Sequence, residues 1–255
     1  MRNIWVICSK ELRSYFVSPI AYLLLVMFAV IFGFFFWNSL GYIVNMTMQA
    51  QMEGEPFPMN LNEQVIRPLL SNINVIALFF IPMITMRLFA EEKRSGTIEL
   101  LATSPVSDTE IILGKWLAAV LMYALMLLTT VFDFVFMFKY GNPDWKPVVI
   151  GYLGLLLQAG GLLAIGTFIS TLTRNQIIAG AATFGVCLML WVLDWVSSYE
   201  QAAWAKVVSY LSVVQHFEPF SKGVIDTKDV IFFVSMIFFG LFLTARSMES
   251  LRWRA

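Results

Sequence analysis

Six stretches of the chain are apolar all round, each close to the length that crosses a bilayer, with short polar segments between them. They run roughly over Ile20–Leu40, Ile73–Phe89, Ile111–Phe138, Val148–Leu172, Ile177–Val196 and Val230–Ala245. A spanning helix takes about 20 mostly apolar residues, whereas a barrel strand alternates in polarity over about ten. The pattern therefore predicts an all-α integral membrane protein of six transmembrane helices. The sixth stretch is short, and Thr227 to Asp229 extend it as an interfacial first turn capped by Thr227. Ahead of the first stretch, over residues 3–18, Ile4, Cys8, Leu12 and Phe16 form one stripe, widened by Trp5 and Tyr15, with Lys10, Arg13 and Ser14 off it. That is an amphipathic helix resting in the membrane interface. Ser18-Pro19 ends it, with Ser18 as N-cap and Pro19 at the first position of the next helix.

The polar segment between the second and third stretches has a structure of its own. Pro82 removes a backbone donor mid-span and should kink the helix. Arg87 and Glu91 stand at helical pairing distance, and Ser95-Gly96 breaks the helix. Residues 97–103 form two turns with Ile98, Leu101 and Ala102 on one side and Glu99 on the other, and Pro105 stops them. Ser107 with Glu110 reads as a capping box for the third span. The segment 95–105 is thus a helix-stop-helix built to be gripped from outside the membrane. Only Thr173 to Gln176 join spans four and five, which predicts a tight hairpin. Gly160 with Ala164, and Ala181 with Gly185, have the spacing that lets two such helices approach. The longest outer segments are about 43–72 and 197–228. The latter is read as re-entrant or interfacial, with Ala203, Val207, Leu211 and Val214 on one face.

Composition agrees: 59% of the 255 residues are hydrophobic and the mean hydropathy is +0.75, which excludes a soluble domain. The net charge of zero averages two unlike faces. Arg2, Lys10, Arg13, Arg87, Lys93, Arg94, Lys115, Arg174, Arg246, Arg252 and Arg254 fall on one side, 11 of the 17 basic residues. Arg67, Lys139, Lys146, Lys206, Lys222 and Lys228 fall on the other. The positive-inside rule places both termini in the cytoplasm. The apolar start lacks the small-residue cleavage site of a signal peptide. Cys8 falls in the cytoplasm and Cys187 within a span, which argues against a disulfide.

Little in the chain reads as catalytic. Gly114-Lys115 is the only Gly-Lys pair, and Thr109 stands where a phosphate-binding loop needs its first glycine. His216 is the sole histidine and reads as a hydrogen-bonding structural residue, and no Cys/His cluster offers a metal site. Asp133 and Asp194 fall near the outer ends of spans three and five. They read either as a polar patch on a substrate route or, more simply, as interfacial groups pairing with a lysine such as Lys139. Met46, Met48, Met52 and Met59 are soft ligands that suit Cu(I), but membrane-proximal filler is the simpler reading. Asn72, Asn74, Thr85, Thr183 and Asp194 are the candidate polar contacts along a route. No His-Asp or Ser-Lys pair is placed within the spans as an intramembrane enzyme would need.

The run Arg87-Leu88-Phe89-Ala90-Glu91-Glu92-Lys93-Arg94-Ser95-Gly96-Thr97-Ile98-Glu99-Leu100-Leu101, then Ser104-Pro105-Val106-Ser107 and Gly114-Lys115, resembles the loop of ABC-2 type transporter permeases. In the carboxyl half His216-Phe217, Phe220-Ser221, Gly223-Val224-Ile225-Asp226-Thr227 and Asp229-Val230 resemble the gliding-motility-type branch. So do Lys10-Glu11-Leu12, Phe16, Ser18-Pro19-Ile20 and Asn175-Gln176-Ile177. The resemblance covers nearly the whole chain. It implies one type V exporter-like permease domain over 1–255, in a bacterial inner membrane, with its interfacial helix, coupling helix and re-entrant outer segment. It further implies a second permease copy or paralogue, and two copies of an ABC ATP-binding subunit that hold ATP and Mg. No cofactor is implied for this chain, whose other contact is membrane lipid, and no nucleic acid is implied. The coupling role carries over to Gly96, Thr97, Ile98, Glu99, Leu100 and Leu101, and no catalytic residue carries over. The implied function is export or movement of a substrate driven by the separate ATPase. The alternative is a mechanical or assembly module of the gliding or copper-enzyme maturation type, acting with an auxiliary membrane protein that has a periplasmic domain.

Overall fold

A computed structural model describes residues 2–54, 60–97, 106–141, 143–196 and 210–252, with backbone alone at 196, 251 and 252. Nine α-helices appear among them: α1 (Arg2–Val17), α2 (Pro19–Glu53), α3 (Arg67–Thr85, preceded by a π turn over Asn62–Ile66), α4 (Ala90–Ser95), α5 (Asp108–Tyr140), α6 (Lys146–Leu172), α7 (Gln176–Val196), α8 (Val213–Ser221) and α9 (Thr227–Arg252). The six long apolar ones, α2, α3, α5, α6, α7 and α9, are each able to cross a membrane. No strand occurs among the described residues. The chain is a multi-pass membrane protein.

The helix ends follow local chemistry. Ser18 accepts from the Ile20 amide (3.4 Å), with Pro19 as the first helical residue of α2. Ser107 and Glu110 close a reciprocal capping box on α5, as their spacing predicts. The cap of α9 corrects the expectation. Asp226, not Thr227, takes the Lys228 amide (3.1 Å) and so stands at the cap position, with Thr227 already helical. That amide bond holds the Asp226 carboxyl below its usual range.

The first outer segment is also corrected. Hydropathy ends span one near Leu40, yet α2 continues to Glu53, so 43–53 is helix and not loop. At about 1.5 Å per residue, 35 residues reach about 50 Å, against roughly 30 Å of hydrocarbon. Nothing between Gly41 and Gly54 breaks a helix. Gly54 stops it with φ +73°, a left-handed value that glycine adopts freely. Hydropathy measures what crosses lipid, not where the helix ends. Met46, Met48 and Met52 ride on this extension, and Met59 lies outside the described residues.

α6 is the central helix. Its small residues let neighbours come close on several sides: Gly151 faces Leu70 of α3, Gly154 faces Phe220 of α8, and Gly166 faces Thr85 of α3 and Thr183 of α7. The closest neighbour is α9. Gly160 meets Ile237, Ala164 meets Gly240, and Trp116 of α5 donates to the Gly160 carbonyl at 2.9 Å. The hairpin partner α7 therefore does not take up the Gly160/Ala164 pair, contrary to expectation. Ala181 and Gly185 face outward, and a Cβ on Gly185 would meet nothing within 4 Å. Sequence shows that small residues permit approach; it does not show which helix approaches.

Candidate functional site

The break between α3 and α4 gathers a connected set of polar groups from α1, α4, α5 and α6. Pro82 deprives α3 of one ladder bond, and Thr85 turns its hydroxyl back onto the Ile81 carbonyl (3.0 Å). Residues 86–89 then form a turn, and α4 begins at Ala90. Glu91 and Glu92 in its first turn and Lys93 and Arg94 in its last suit the helix dipole. Gly96 ends α4 with φ +74°, again left-handed.

Neighbouring helices satisfy the freed backbone. Ser170 of α6 accepts from the amides of Phe89 and Ala90, both at 3.1 Å. Tyr15 of α1 donates to the Ile84 carbonyl at 2.9 Å; burial, then the Glu11 charge, pushes its phenol upward in pKa. Lys93 donates to the Thr171 carbonyl, and Thr171 in turn donates to Ser247 of α9 at 2.7 Å.

Lys115 of α5 is the centre of this arrangement. It is 1% exposed. Its ammonium has three protons to give, and it gives them to Glu11 Oε1 (2.9 Å), Glu92 Oε1 (2.8 Å) and the Leu88 carbonyl (2.8 Å). The Phe89 ring lies 5.1 Å from Nζ. One buried cation thus ties together α1, the α3–α4 turn, α4 and α5. Lys10 stands 3.9 Å from both carboxylates on the solvent side, so two cations face two anions.

Gly114 makes this possible. A Cβ there would fall 2.8 Å from Ile7 and 3.1 Å from the Ile4 carbonyl, so α1 lies directly on α5. The α1 stripe is consequently turned inward. Cys8 and Tyr15 are buried, whereas Trp5, Val6 and Val17 are exposed. The stripe expected to rest on lipid packs in large part on protein, with Ile4, Leu12 and Phe16 half-buried, while Trp5 stays exposed at the stripe's edge beside Leu12 and Phe16. Burial, with Glu11 nearby, raises the Cys8 thiol.

Beside the joint a cavity of about 400 Å³ is lined by Lys10, Glu11, Arg87, Glu92 and Thr97, among others. Arg87 pairs with Glu91 at 2.9 Å, as their spacing predicts. Arg87 Nη1 and Glu92 Oε2 are buried and make no hydrogen bond among the described residues.

A family profile described as ABC-2 family transporter protein matches residues 5–241. The chain belongs to this family. Two curated relatives, described as "Probable multidrug ABC transporter permease YbhR" from Escherichia coli (strain K12) and Escherichia coli O157:H7, are each 25% identical over 202 residues. The match covers 73% of this chain and 54% of each relative. The chain spans about half the length of the curated relatives it matches.

Of the coupling residues expected in this ABC-2 permease, Gly96 and Thr97 are placed at the end of α4, with Thr97 on the cavity wall. Ile98, Glu99, Leu100 and Leu101 lie outside the described residues, as do 197–209 of the outer segment. The expected route residues divide into two groups. Asn74, Thr85 and Thr183 are buried inside the permease: Asn74 accepts from Gln158 of α6, and the Thr183 hydroxyl returns to the Ala179 carbonyl (2.8 Å). Asn72 and Asp194 are half-exposed. Asp133 is half-buried and is not paired with Lys139, whose ammonium instead lies 5.7 Å from the Tyr140 ring. Sequence reasoning missed the Glu11–Lys115 pair and, separately, Gln158 as the partner of Asn74. The signal available was a Gly-Lys pair on an otherwise apolar helix face.

His216 is the structural residue its isolation suggested. It is buried, stacks 3.8 Å from Phe232, and donates from Nε2 to the Tyr210 carbonyl (2.9 Å). Its Nδ1 meets Asp229 Oδ1 at 2.6 Å. With Nε2–H committed, that contact needs a proton between the two groups. The pair fastens α8 onto the start of α9. Nearby, Arg67 and Lys222 hold Glu218 at 2.6 and 2.9 Å. The Lys222 hydrogen bond and both charges keep the Glu218 carboxyl below its usual range. His216→Leu is expected to cost about 3–5 kcal/mol, because it strands a buried carboxyl. Asp229→Asn, which can donate to Nδ1 while Nε2 keeps its proton, is expected to cost under about 1.5 kcal/mol. Thermal midpoints in detergent, compared between the two variants, check the difference.

Proposed function

We propose that this chain is the membrane-spanning subunit of an ATP-driven transporter, with both termini on the cytoplasmic side of a bacterial inner membrane. The observation that carries the reading is the Lys115 joint, in a chain that belongs to the ABC-2 family. A separate ATP-binding subunit, present twice and holding ATP and Mg, presses on residues 95–105. Gly96, Thr97, Ile98, Glu99, Leu100 and Leu101 receive that movement, and α4 carries it to α3, α5 and α1 together because Lys115 locks them as one body. The cavity beside the joint, lined by Lys10, Glu11, Arg87 and Glu92, offers a polar recess beside the surface on which the ATP-binding subunit acts. The chain itself hydrolyses nothing.

Two copies are proposed to meet through α3 and α7, where Val75, Phe79 and Ile178 are exposed and Gly185 has open space. Asn72 is a route residue half-exposed beside Val75 and Phe79 on this surface, whereas Asp194 lies on the side of α7 that carries Thr183. Asn74, Thr85 and Thr183 join the route when α3 and α7 shift against α6. The carboxyl-half motif, in which His216 pairs with Asp229 and Asp226 caps α9, resembles the gliding-motility-type branch, and the placement in that branch rests on this resemblance.

Glu99→Ala with Leu101→Ala is expected to leave insertion and the joint intact while lowering transport-linked ATPase activity of the assembled complex at least tenfold. Wild-type coupled activity in that double variant would sink the coupling assignment.

A further inference from the structure

At the end of the bundle away from the termini, α5 and α6 part to leave an apolar crevice of about 320 Å³. Val131, Val135 and Phe138 form one wall, and Val148, Val149 and Tyr152 the other. Tyr152 presents only its ring, because its hydroxyl is bonded to Thr130. The crevice is open outward: Val135 and Val149 are each 57% exposed. Its mouth has a different chemistry. Lys139 stands one turn beyond Val135, and Lys146 one turn before Val149, both exposed. Tyr140 and Trp145 flank them as exposed rings, the side chains that mark the headgroup level of a bilayer.

The acidic groups nearby do not outweigh the two lysines. Asp144, whose Oδ1 takes the Lys146 amide (3.1 Å), keeps its charge but lines a separate cavity together with Arg67 and Lys222. At about 100° per residue, Asp133 falls on the opposite side of α5 from Val131, Val135 and Phe138. An apolar slot at membrane depth therefore ends beneath two ammonium groups at headgroup height.

We propose that this crevice is a binding site for one acyl chain of an anionic phospholipid, with its phosphate held between Lys139 and Lys146. Any lipid could lay a chain against valines. Two lysines at the mouth select a negative headgroup, since each basic residue near a charged surface adds to the attraction. The site is independent of the transport reading and follows from membrane insertion alone.

The test uses the full chain in neutral detergent, with phosphatidylglycerol and phosphatidylcholine as probes, read by native mass spectrometry and by thermal midpoint. The wild type is expected to retain one phosphatidylglycerol in preference to phosphatidylcholine and to melt higher with it. Lys139→Gln with Lys146→Gln should reduce that preference roughly tenfold or more while still admitting a chain. Val135→Trp should fill the crevice and abolish retention of both lipids. All three positions are exposed, so the folded state is expected to survive, and elution volume confirms it. Equal retention of the two lipids by the wild type would overturn the proposal, as would a headgroup preference unchanged in the lysine double variant. So would a second protein chain cross-linked at Val135→Cys with lipid excluded.

Discussion

Lys115→Met should destabilise the permease by about 3–5 kcal/mol, the usual result of removing one partner from a buried ion pair. Methionine fills similar volume, so the loss is electrostatic and not a cavity. Glu11 and Glu92 would then face each other without their shared cation, and the Leu88 carbonyl would lose its donor. Lys10 cannot substitute, since it stands 3.9 Å from both carboxylates and its side chain is 65% exposed. The triple change Glu11→Gln, Lys115→Met and Glu92→Gln removes all three charges, and much of the stability should return, because neutral replacement of a buried cluster is often nearly neutral. Coupling should not return with it. α1 and α4 would still pack, but without the shared cation that makes them move as one. Thermal midpoints and complex ATPase activity, measured on the same preparations, separate the two roles. A Lys115→Met protein as stable as the wild type would contradict the burial argument.

The second large effect concerns the α6–α9 contact. A Cβ on Gly240 would lie 2.7 Å from the Ala164 carbonyl carbon, 2.8 Å from Ala164 Cβ and 2.9 Å from the Ile165 amide nitrogen. Two of those three atoms belong to backbone and cannot rotate away. Gly240→Val must therefore push α9 off the central helix, breaking the neighbouring contacts of Ile237 with Gly160. Overpacking a closed core costs about 1–3 kcal/mol and sometimes more; at a backbone-to-backbone contact the upper end is expected. Gly185→Val supplies the contrast, since a Cβ there meets nothing within 4 Å. Monodisperse protein recovered after detergent extraction should fall severely for Gly240→Val and remain near wild type for Gly185→Val. Equal recovery of both would show that α9 tolerates displacement from α6.

What could be read from the sequence was local. Ser107 and Glu110 are three residues apart, and their capping box formed as written. Gly96 ends α4, and Arg87 meets Glu91, for the same reason: each signal and its target lie within one or two turns. The six spans were legible because lipid solvation acts on every residue of a span alike. What failed to show was long-range. Lys115 finds Glu11 across 104 residues and Glu92 across 23, and no local pattern distinguishes a buried, satisfied lysine from one near a membrane end. The α1 stripe was visible, but its partner was not, because lipid and an apolar helix face are alike to an amphipathic helix. The extension of α2 beyond Leu40 escaped because hydropathy stops where lipid stops, while the helix stops only at Gly54.

The most direct measurement is affinity purification of the tagged chain in mild detergent, with partners identified by mass and ATPase activity assayed. A stoichiometric nucleotide-binding subunit is expected, and is expected to be lost when residues 96–101 are replaced. Recovery of this chain alone, under conditions that preserve a known transporter complex, would contradict the permease assignment.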